Sequence, residues 1–402
     1  MQRPISIDEL AAFKRNDDYG FGVRQDQRDL DPGWAETELD RTIAVFDGDE
    51  IVGTGRNYSL DLTLPGGAVV PTAAVSWIAV RPTHRRRGIL RSMMTHLLED
   101  GARRGDPASI LTASEGAIYG RFGYGVASRV LAIELERHAV EFAAPVTRGR
   151  LRLVEPEEGV KVAPELFARV HATRNGAVSR PPVWWAGPWV PKDSIKHRFD
   201  VVYEVDGRVE GYAVYGISDE SGPEFDARTV SVQDLVATTP DAEAALWQYL
   251  CDIDLTRKTV HGWVPEDIEL PWRMRDSRQM RTVELHDWLW LRPIDVPALL
   301  GARRYGSSDT LVLQVHDSMR ADGGAAGRFL VEGGPDGARC ERTDRAADLE
   351  LDAAVLGSLV LGTLPATTVA RAGRIEEARP GALGIADRFF AAERAPYNFT
   401  WF

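Results

Sequence analysis

Two stretches of the chain hold residues whose types and spacing could do chemistry. The first is Val75–Leu90, VSWIAVRPTHRRRGIL. An apolar run meets a turn at Pro82, then come three arginines, Gly88 and an amphipathic pattern. A helix start presents unpaired backbone N–H groups and the positive end of the helix dipole. Gly88 lets a ligand approach the backbone, and Arg85, Arg86 and Arg87 supply neutralising charge, a combination suited to a diphosphate. No Gly-Lys-Ser/Thr follows, so this is not a Walker loop. The glycine spacing is not that of a dinucleotide-binding turn either. An arginine triplet by itself also fits a solvated basic turn or a small nucleic-acid patch; its place between strand and helix favours the diphosphate. The second stretch is Ser114–Gly125, SEGAIYGRFGYG, with two tyrosines. A phenol has an ordinary pKa of about 10, so at neutral pH it holds a proton that it can give to a leaving group. Core packing is the other use for both rings.

Elements must hold these residues in place. Ser6 with Glu9 three positions on forms a capping-box pattern that opens a helix. Strands are expected at Thr42–Phe46, at Ile51–Leu62 after the turn Asp47-Gly48-Asp49, and near Ala73–Val80. Ile89, Leu90, Met93, Met94, Leu97 and Leu98 recur at helical spacing, and a strand follows at Ser109–Ala113. Alternating strands and helices predict an α/β sheet. Val201–Val205, Val209–Tyr215, Val230–Ala237 and a helix at Asp241–Leu255 repeat the same order, so an internal duplication is expected. The remainder starts with a helix in Pro293–Leu300, continues with strands at Leu311–Val315 and Gly327–Val331, and has a buried helix at Ala354–Leu361.

The 402 residues carry a formal net charge of −12. That argues against general nucleic-acid binding, which needs a basic face. An acidic field concentrates cationic substrates, although solubility alone also accounts for it. Cys251 and Cys340 are too few for a disulfide framework or a cysteine-rich zinc site. The first residues show no apolar signal region, and no run approaches membrane-spanning length, so a cytoplasmic protein is expected.

Arg85-Arg86-Arg87-Gly88-Ile89-Leu90 resembles the GNAT pyrophosphate loop, Arg/Gln-x-x-Gly-x-Gly/Ala, with Leu90 where a small residue is usual. Ala117, Tyr119, Gly123 and Tyr124 resemble the superfamily text Ala-x-x-Tyr-x-x-x-Gly-Phe. THRRRGIL and SEGAIYGRFGYG, together with WLWLRPIDVPALL and LDAAVLGSLVLGTLPATTVA, resemble the enhanced intracellular survival (Eis) family of aminoglycoside acetyltransferases over the whole chain. The resemblance implies an α/β (α+β) chain of tandem GNAT folds with mixed sheets flanked by helices. It implies a catalytic GNAT domain at 1–148, a degenerate one at 149–290 and a sterol-carrier-protein-like domain at 291–402 whose C-terminus completes the active site. It further implies acetyl-coenzyme A as cosubstrate, no metal, a small polycationic amine as acceptor, and a homohexamer built as a dimer of trimers.

By the same resemblance Tyr119 is the general acid beside the coenzyme sulfur, and the terminal carboxylate of Phe402 readies the amine. Ile78, Ala79 and Val80 pair with the pantetheine arm, as an extended ligand adds to an open strand edge. Arg85, Arg86, Arg87, Gly88, Ile89 and Leu90 hold the diphosphate, with Ser114 also on the coenzyme side. Trp34, Trp77 and Trp401 border the acceptor; Trp34 and Trp77 fit a core equally well. Trp401 stands where family members can carry an acidic residue, which bears on acceptor preference. The second half has Thr238-Thr239-Pro240-Asp241 in place of the arginine–glycine loop and is expected to bind no coenzyme. The rival readings are a protein lysine acetyltransferase, a longer-chain acyltransferase, and a lipid carrier on a non-catalytic scaffold.

Overall fold

The structure, a computed structural model, describes residues 1–23, 38–186, 198–218, 228–319 and 324–402. Along the chain come β1 (Gln2–Arg3), α1 (Leu10–Phe21), β2 (Thr42–Asp47), β3 (Glu50–Thr63), β4 (Val69–Val80), α2 (Ile89–Arg104), β5 (Ala108–Thr112), α3 (Gly116–Tyr119), β6 (Gly125–Val126) and β7 (Arg129–Glu136). The middle holds β8 (Arg150–Val154), α4 (Pro156–His171), α5 (Pro182–Ala186), β9 (Arg198–Val205), β10 (Arg208–Ile217), β11 (Arg228–Ala237), α6 (Pro240–Cys251), β12 (Thr256–Pro265), α7 (Leu270–Arg273) and β13 (Met280–Asp287). The last part holds β14 (Leu289–Pro293), α8 (Val296–Ala302), β15 (Asp309–His316), β16 (Gly327–Gly334), β17 (Gly337–Arg342), β18 (Leu349–Asp352), α9 (Ala353–Val360), α10 (Ala366–Arg371), β19 (Ile375–Glu377) and α11 (Ala382–Phe390).

Residues 1–128 with 287–402 form one compact unit, and residues 129–286 form another. In the first unit the described strands make a sheet of order β1-β2-β3-β4-β5-β14-β6 and a second of order β17-β16-β15-β18-β19. In the other unit the order is β13-β7-β12-β11-β10-β9-β8. Local chemistry starts the fold where the sequence said it would. Ser6 and Glu9 form the capping box, with the Ser6 amide donating to the Glu9 carboxylate at 2.9 Å. The apolar stripe of α2 is buried through Met93, Met94, Leu97 and Leu98. Two glycines let α2 lie close to β3: a Cβ at Gly53 would stand 2.7 Å from Ile89 Cγ2, and one at Gly55 would stand 3.2 Å from Leu97 Cδ1.

The duplication is present as an order of elements. The hairpin β9–β10, strand β11 and helix α6 repeat β2–β3, β4 and α2. Strand pairing, however, does not follow three consecutive segments. Strand β7 lies within 1–148 yet pairs with β12, Leu135 opposite Thr259. Strand β14 crosses residue 290 and inserts between β5 and β6, with Leu289 opposite Thr112 and Leu291 opposite Gly125. Pro293 therefore ends a fully buried strand, and the helix expected from it begins at Val296, where the Asp295 side chain accepts from the Ala298 amide. Helix α9 packs against β6 and β14 so closely that a Cβ at Gly125 would stand 1.8 Å from the Ala354 carbonyl oxygen. Behind it the fully buried Arg303 donates to the carbonyls of Val360 and Phe390, which end α9 and α11. Tyr305 stacks on Phe389 with ring centroids 3.9 Å apart, so aromatic side chains fill this part of the core.

Candidate active site

Strand β4 is the centre of the site. It runs parallel to β5 only over Thr72–Ala74, opposite Ala108–Ile110, and then diverges. On its other side it stays paired with β3 as far as Val80, opposite Gly53. Among the described residues no strand pairs with Val75–Val80 on the β5 side, so the segment carrying Ile78, Ala79 and Val80 has an open backbone edge. A bulge sits in it: Ser76 faces Arg56 and Ala79 faces Thr54, which leaves Trp77 and Ile78 opposite Gly55 alone. Trp77 takes φ +57°, a strained conformation for so bulky a residue, and such strain gathers at working sites. The equivalent strand β11 also has a register shift, where Asp234 and Val232 face Val214 and Tyr215, and its pairing with β12 likewise ends at Val232.

Beyond β4 the chain turns through Pro82–His84 and enters α2. Gly88 is the N-cap with φ +81°, a left-handed position that favours glycine, and it offers no side-chain cap. Among the described residues nothing lies within 4 Å of the place where its Cβ would be. The first turn of α2 is therefore a donor set without its own acceptor. Arg86 has φ +62° and makes no hydrogen bond or ion pair among the described residues. Arg87 reaches Asp47 at only 3.8 Å, and Arg85 donates to the Gly20 carbonyl at 3.4 Å. All three arginines are exposed, while Ile89 and Leu90 are half-buried against the α2 core. These features fit a diphosphate. The second unit offers the opposite. Thr239 Oγ1 accepts from the Ala242 amide, Pro240 has no N–H to give, and Asp241 and Glu243 sit in the first turn of α6.

Tyr119 ends α3, buried at 6% exposure. Its hydroxyl makes no hydrogen bond among the described residues, and burial, with Glu115 adding to it, pushes the phenol up to about 12. Tyr124 packs edge-on against it, ring centroids 6.1 Å apart. The Tyr124 hydroxyl bonds to Ser109 Oγ at 2.6 Å, and Ser109 donates to the Ala73 carbonyl at 2.9 Å. Tyr124 thus ties its turn to the Ala73–Ser109 rung, the middle one of the three that join β4 and β5, and burial drives its phenol pKa far up. It is a packing and anchoring residue. Ser114 is exposed in the loop between β5 and α3.

The end of the chain arrives at the same strands. Thr112 Oγ1, the last residue of β5, donates to Phe402 O at 3.4 Å. The fully buried Asn398 accepts from the Thr400 amide at 2.9 Å and donates to the Thr400 carbonyl at 2.6 Å, locking the tail as a tight turn. Trp288 donates from its indole to the Asn398 carbonyl at 2.9 Å and meets the ring of Trp401 edge-on at 5.7 Å. Trp401 remains 55% exposed. Trp77 donates to the Tyr58 hydroxyl at 3.0 Å and packs beside the cluster that contains Phe13 of α1. Trp34 lies outside the described residues. Thr112, Ser109 and Trp288 were not singled out from sequence; each is an ordinary residue in the text and gains its role from a partner far along the chain.

Residues 2–127 match an acetyltransferase (GNAT) domain model, 176–293 match a second acetyltransferase (GNAT) domain model, and 296–398 match a sterol carrier protein domain. The chain is 38% identical over 413 aligned positions to an N-acetyltransferase of Streptomyces griseus, covering 98% of both chains. It is 37% identical to the N-acetyltransferase Eis of Mycobacterium tuberculosis, covering 88% of this chain and 87% of that one. Its fold is similar to that of Eis1 from Mycobacterium abscessus, with a TM-score of 0.88 and 32% identity over all of both chains. A GCN5-related N-acetyltransferase from Anabaena variabilis shares the fold at a TM-score of 0.87 with 18% identity.

Proposed function

The chain belongs to the Eis family of GNAT N-acetyltransferases, and on that premise we propose that it moves an acetyl group from acetyl-coenzyme A directly to an amine of a polycationic acceptor, aminoglycosides being the model class. The observation that carries this reading is the convergence on one sheet of an open β4 edge, an uncapped α2 N-terminus and Phe402 at the end of β5.

The donor brings a thioester. The α2 N-terminus with Arg86 holds its diphosphate, and the β4 edge at Ile78–Val80 pairs with its amide arm. A backbone N–H near Val80 polarises the thioester carbonyl. The neutral amine forms the C–N bond as the C–S bond breaks. Tyr119 donates to the sulfur as charge builds there, and recovers its proton from the one the amine sheds. Before attack the Phe402 carboxylate attracts the ammonium and takes one proton from it, directly or through water, and that proton passes on to solvent, leaving the neutral amine. Transfer is direct, without a covalent enzyme intermediate. An acidic chain of net charge −12 favours cationic acceptors. The dimer-of-trimers assembly belongs to the same proposal.

The test is coenzyme A release from acetyl-coenzyme A with aminoglycosides, polyamines and lysine peptides. Tyr119→Phe is expected to lower kcat by about 10²- to 10⁴-fold. A chain ending at Trp401 is expected to lose turnover on amines while still binding acetyl-coenzyme A. Full activity in both variants would remove the assigned acid and carboxylate; no turnover on any amine would remove the acceptor class.

A further inference from the structure

Behind the Tyr119 turn lies an ion pair that the reaction as described does not use. Arg292 on β14 and Asp317, just past β15, meet at 2.7 Å with both side chains 1% exposed. Arg292 also donates to the Phe122 carbonyl. Phe122 sits within a turn in which the Tyr124 amide donates to the Tyr119 carbonyl at 3.3 Å and the Gly123 amide to Gly120 at 3.0 Å. The turn is shaped around the guanidinium: a Cβ at Gly123 would stand 1.8 Å from Arg292 Nη1, and Gly123 has φ +83°. Asp317 is fixed in turn, accepting from the Met319 amide at 3.0 Å, and Met319 packs on the cluster that contains Tyr119, Phe122 and Tyr124. Asp317 and Met319 come from the sterol-carrier-like segment.

We propose that Arg292 and Asp317 are positioning residues for Tyr119, so that the third segment sets the place of the acid through the Phe122 carbonyl. This rests on the reading of Tyr119 as acid. A buried guanidinium losing its carboxylate partner shifts to find another, and the carbonyl it holds shifts with it. A displacement of about 1 Å at a reacting group costs on the order of 100-fold in rate.

Wild type, Asp317→Asn, Tyr119→Phe and the double variant are compared by coenzyme A release from acetyl-coenzyme A with kanamycin or spermidine, alongside amide hydrogen exchange at Gly123 and Tyr124. Asp317→Asn is expected to lower kcat about 10- to 100-fold with KM for acetyl-coenzyme A within about twofold. In the Tyr119→Phe background the same change should cost less than about twofold, because coupled residues are not additive. Faster exchange at the two amides should accompany it. Equal losses in both backgrounds, or no loss in the wild-type background, overturn the proposal. An unchanged kcat in Tyr119→Phe alone removes the acid reading instead, and unchanged exchange would then overturn the positioning as well. Should Asp317→Asn fail to fold, Asp317→Glu, which keeps the charge and shifts its reach, is taken through the same cycle and judged by the same outcomes.

Discussion

At the scale of single residues burial raises the phenols of Tyr119 and Tyr124 above their ordinary value. Tyr119 near 12 stays protonated across the range in which the protein would be assayed. The pH profile of kcat should therefore show no fall from Tyr119 ionisation below about pH 11; a phenolic limb near pH 9 to 10, lost in Tyr119→Phe, would contradict the burial. Asp17 on α1 shows the same cause with the opposite consequence. Burial, reinforced by Asp18 and opposed by Lys14, pushes its carboxyl up to about 7, and its Oδ1 accepts no hydrogen bond among the described residues. Folding favours the neutral form. Below the unfolded value of about 4 the group is neutral in both states and has no effect. As pH rises from about 4 to 7 the unfolded chain ionises first, so stability falls, and above 7 the loss is complete. Asp17→Asn should raise Tm at pH 8 by several degrees more than at pH 4. An equal change at both pH values in calorimetry would show that the carboxyl titrates normally.

Elements made part of this legible in advance. The α2 stripe, the arginines and Gly88 are local in sequence, and a helix start needs nothing distant to be recognised. The tyrosine turn was legible as text, but not its support: Arg292 reads like any strand-end arginine until Asp317 and the Phe122 carbonyl are beside it. The run Leu289–Leu300 has apolar residues compatible with either period, and only the pairing of β14 with β5 settles its first half as strand. The tail PYNFTWF is rich in aromatic residues, yet Asn398 and Trp288, which hold it, carry no signal at a distance of 110 residues. The loop before α2, proposed above to hold the donor's diphosphate, allows a test at this scale. Gly88→Val forces a β-branched residue to φ +81°, a cost of about 1–2 kcal/mol. If the loop must relax to avoid it, KM for acetyl-coenzyme A should rise about 5- to 30-fold while kcat at saturation stays within about twofold. A lowered kcat with unchanged KM would place Gly88 in the chemical step instead.

In the whole molecule the sheet that holds β4 and β5 is discontinuous in sequence, and this decides which pieces can stand alone. β5 is flanked by β14 over five rungs, Leu289 opposite Thr112 through Pro293 opposite Ala108. A fragment 1–148 lacks that strand, exposes the edge of β5 and leaves β7 without β12; it also lacks Trp290, Met319 and the tail. Unpaired edges beside apolar surface aggregate. The segment 129–286 behaves in the opposite way, as an insertion. Where it leaves and returns, the Trp288 amide donates to the Ser128 carbonyl at 2.9 Å and the Ser128 amide to the Leu289 carbonyl at 3.0 Å. Ends so close can be rejoined by a short Asn-Gly type turn without disturbing either strand. Residues 1–128 linked in this way to 287–402 should melt cooperatively and bind acetyl-coenzyme A, measured by calorimetry and titration, whereas 1–148 should be insoluble or lack a cooperative transition. If 1–148 folds and the joined chain does not, the exchange of β7 and β14 between sheets is not what divides the molecule. If the joined chain folds, binds donor and still acetylates amines, the second GNAT copy contributes neither to the donor site nor to the chemistry, as its Thr239 cap and Pro240 already argue from the residues.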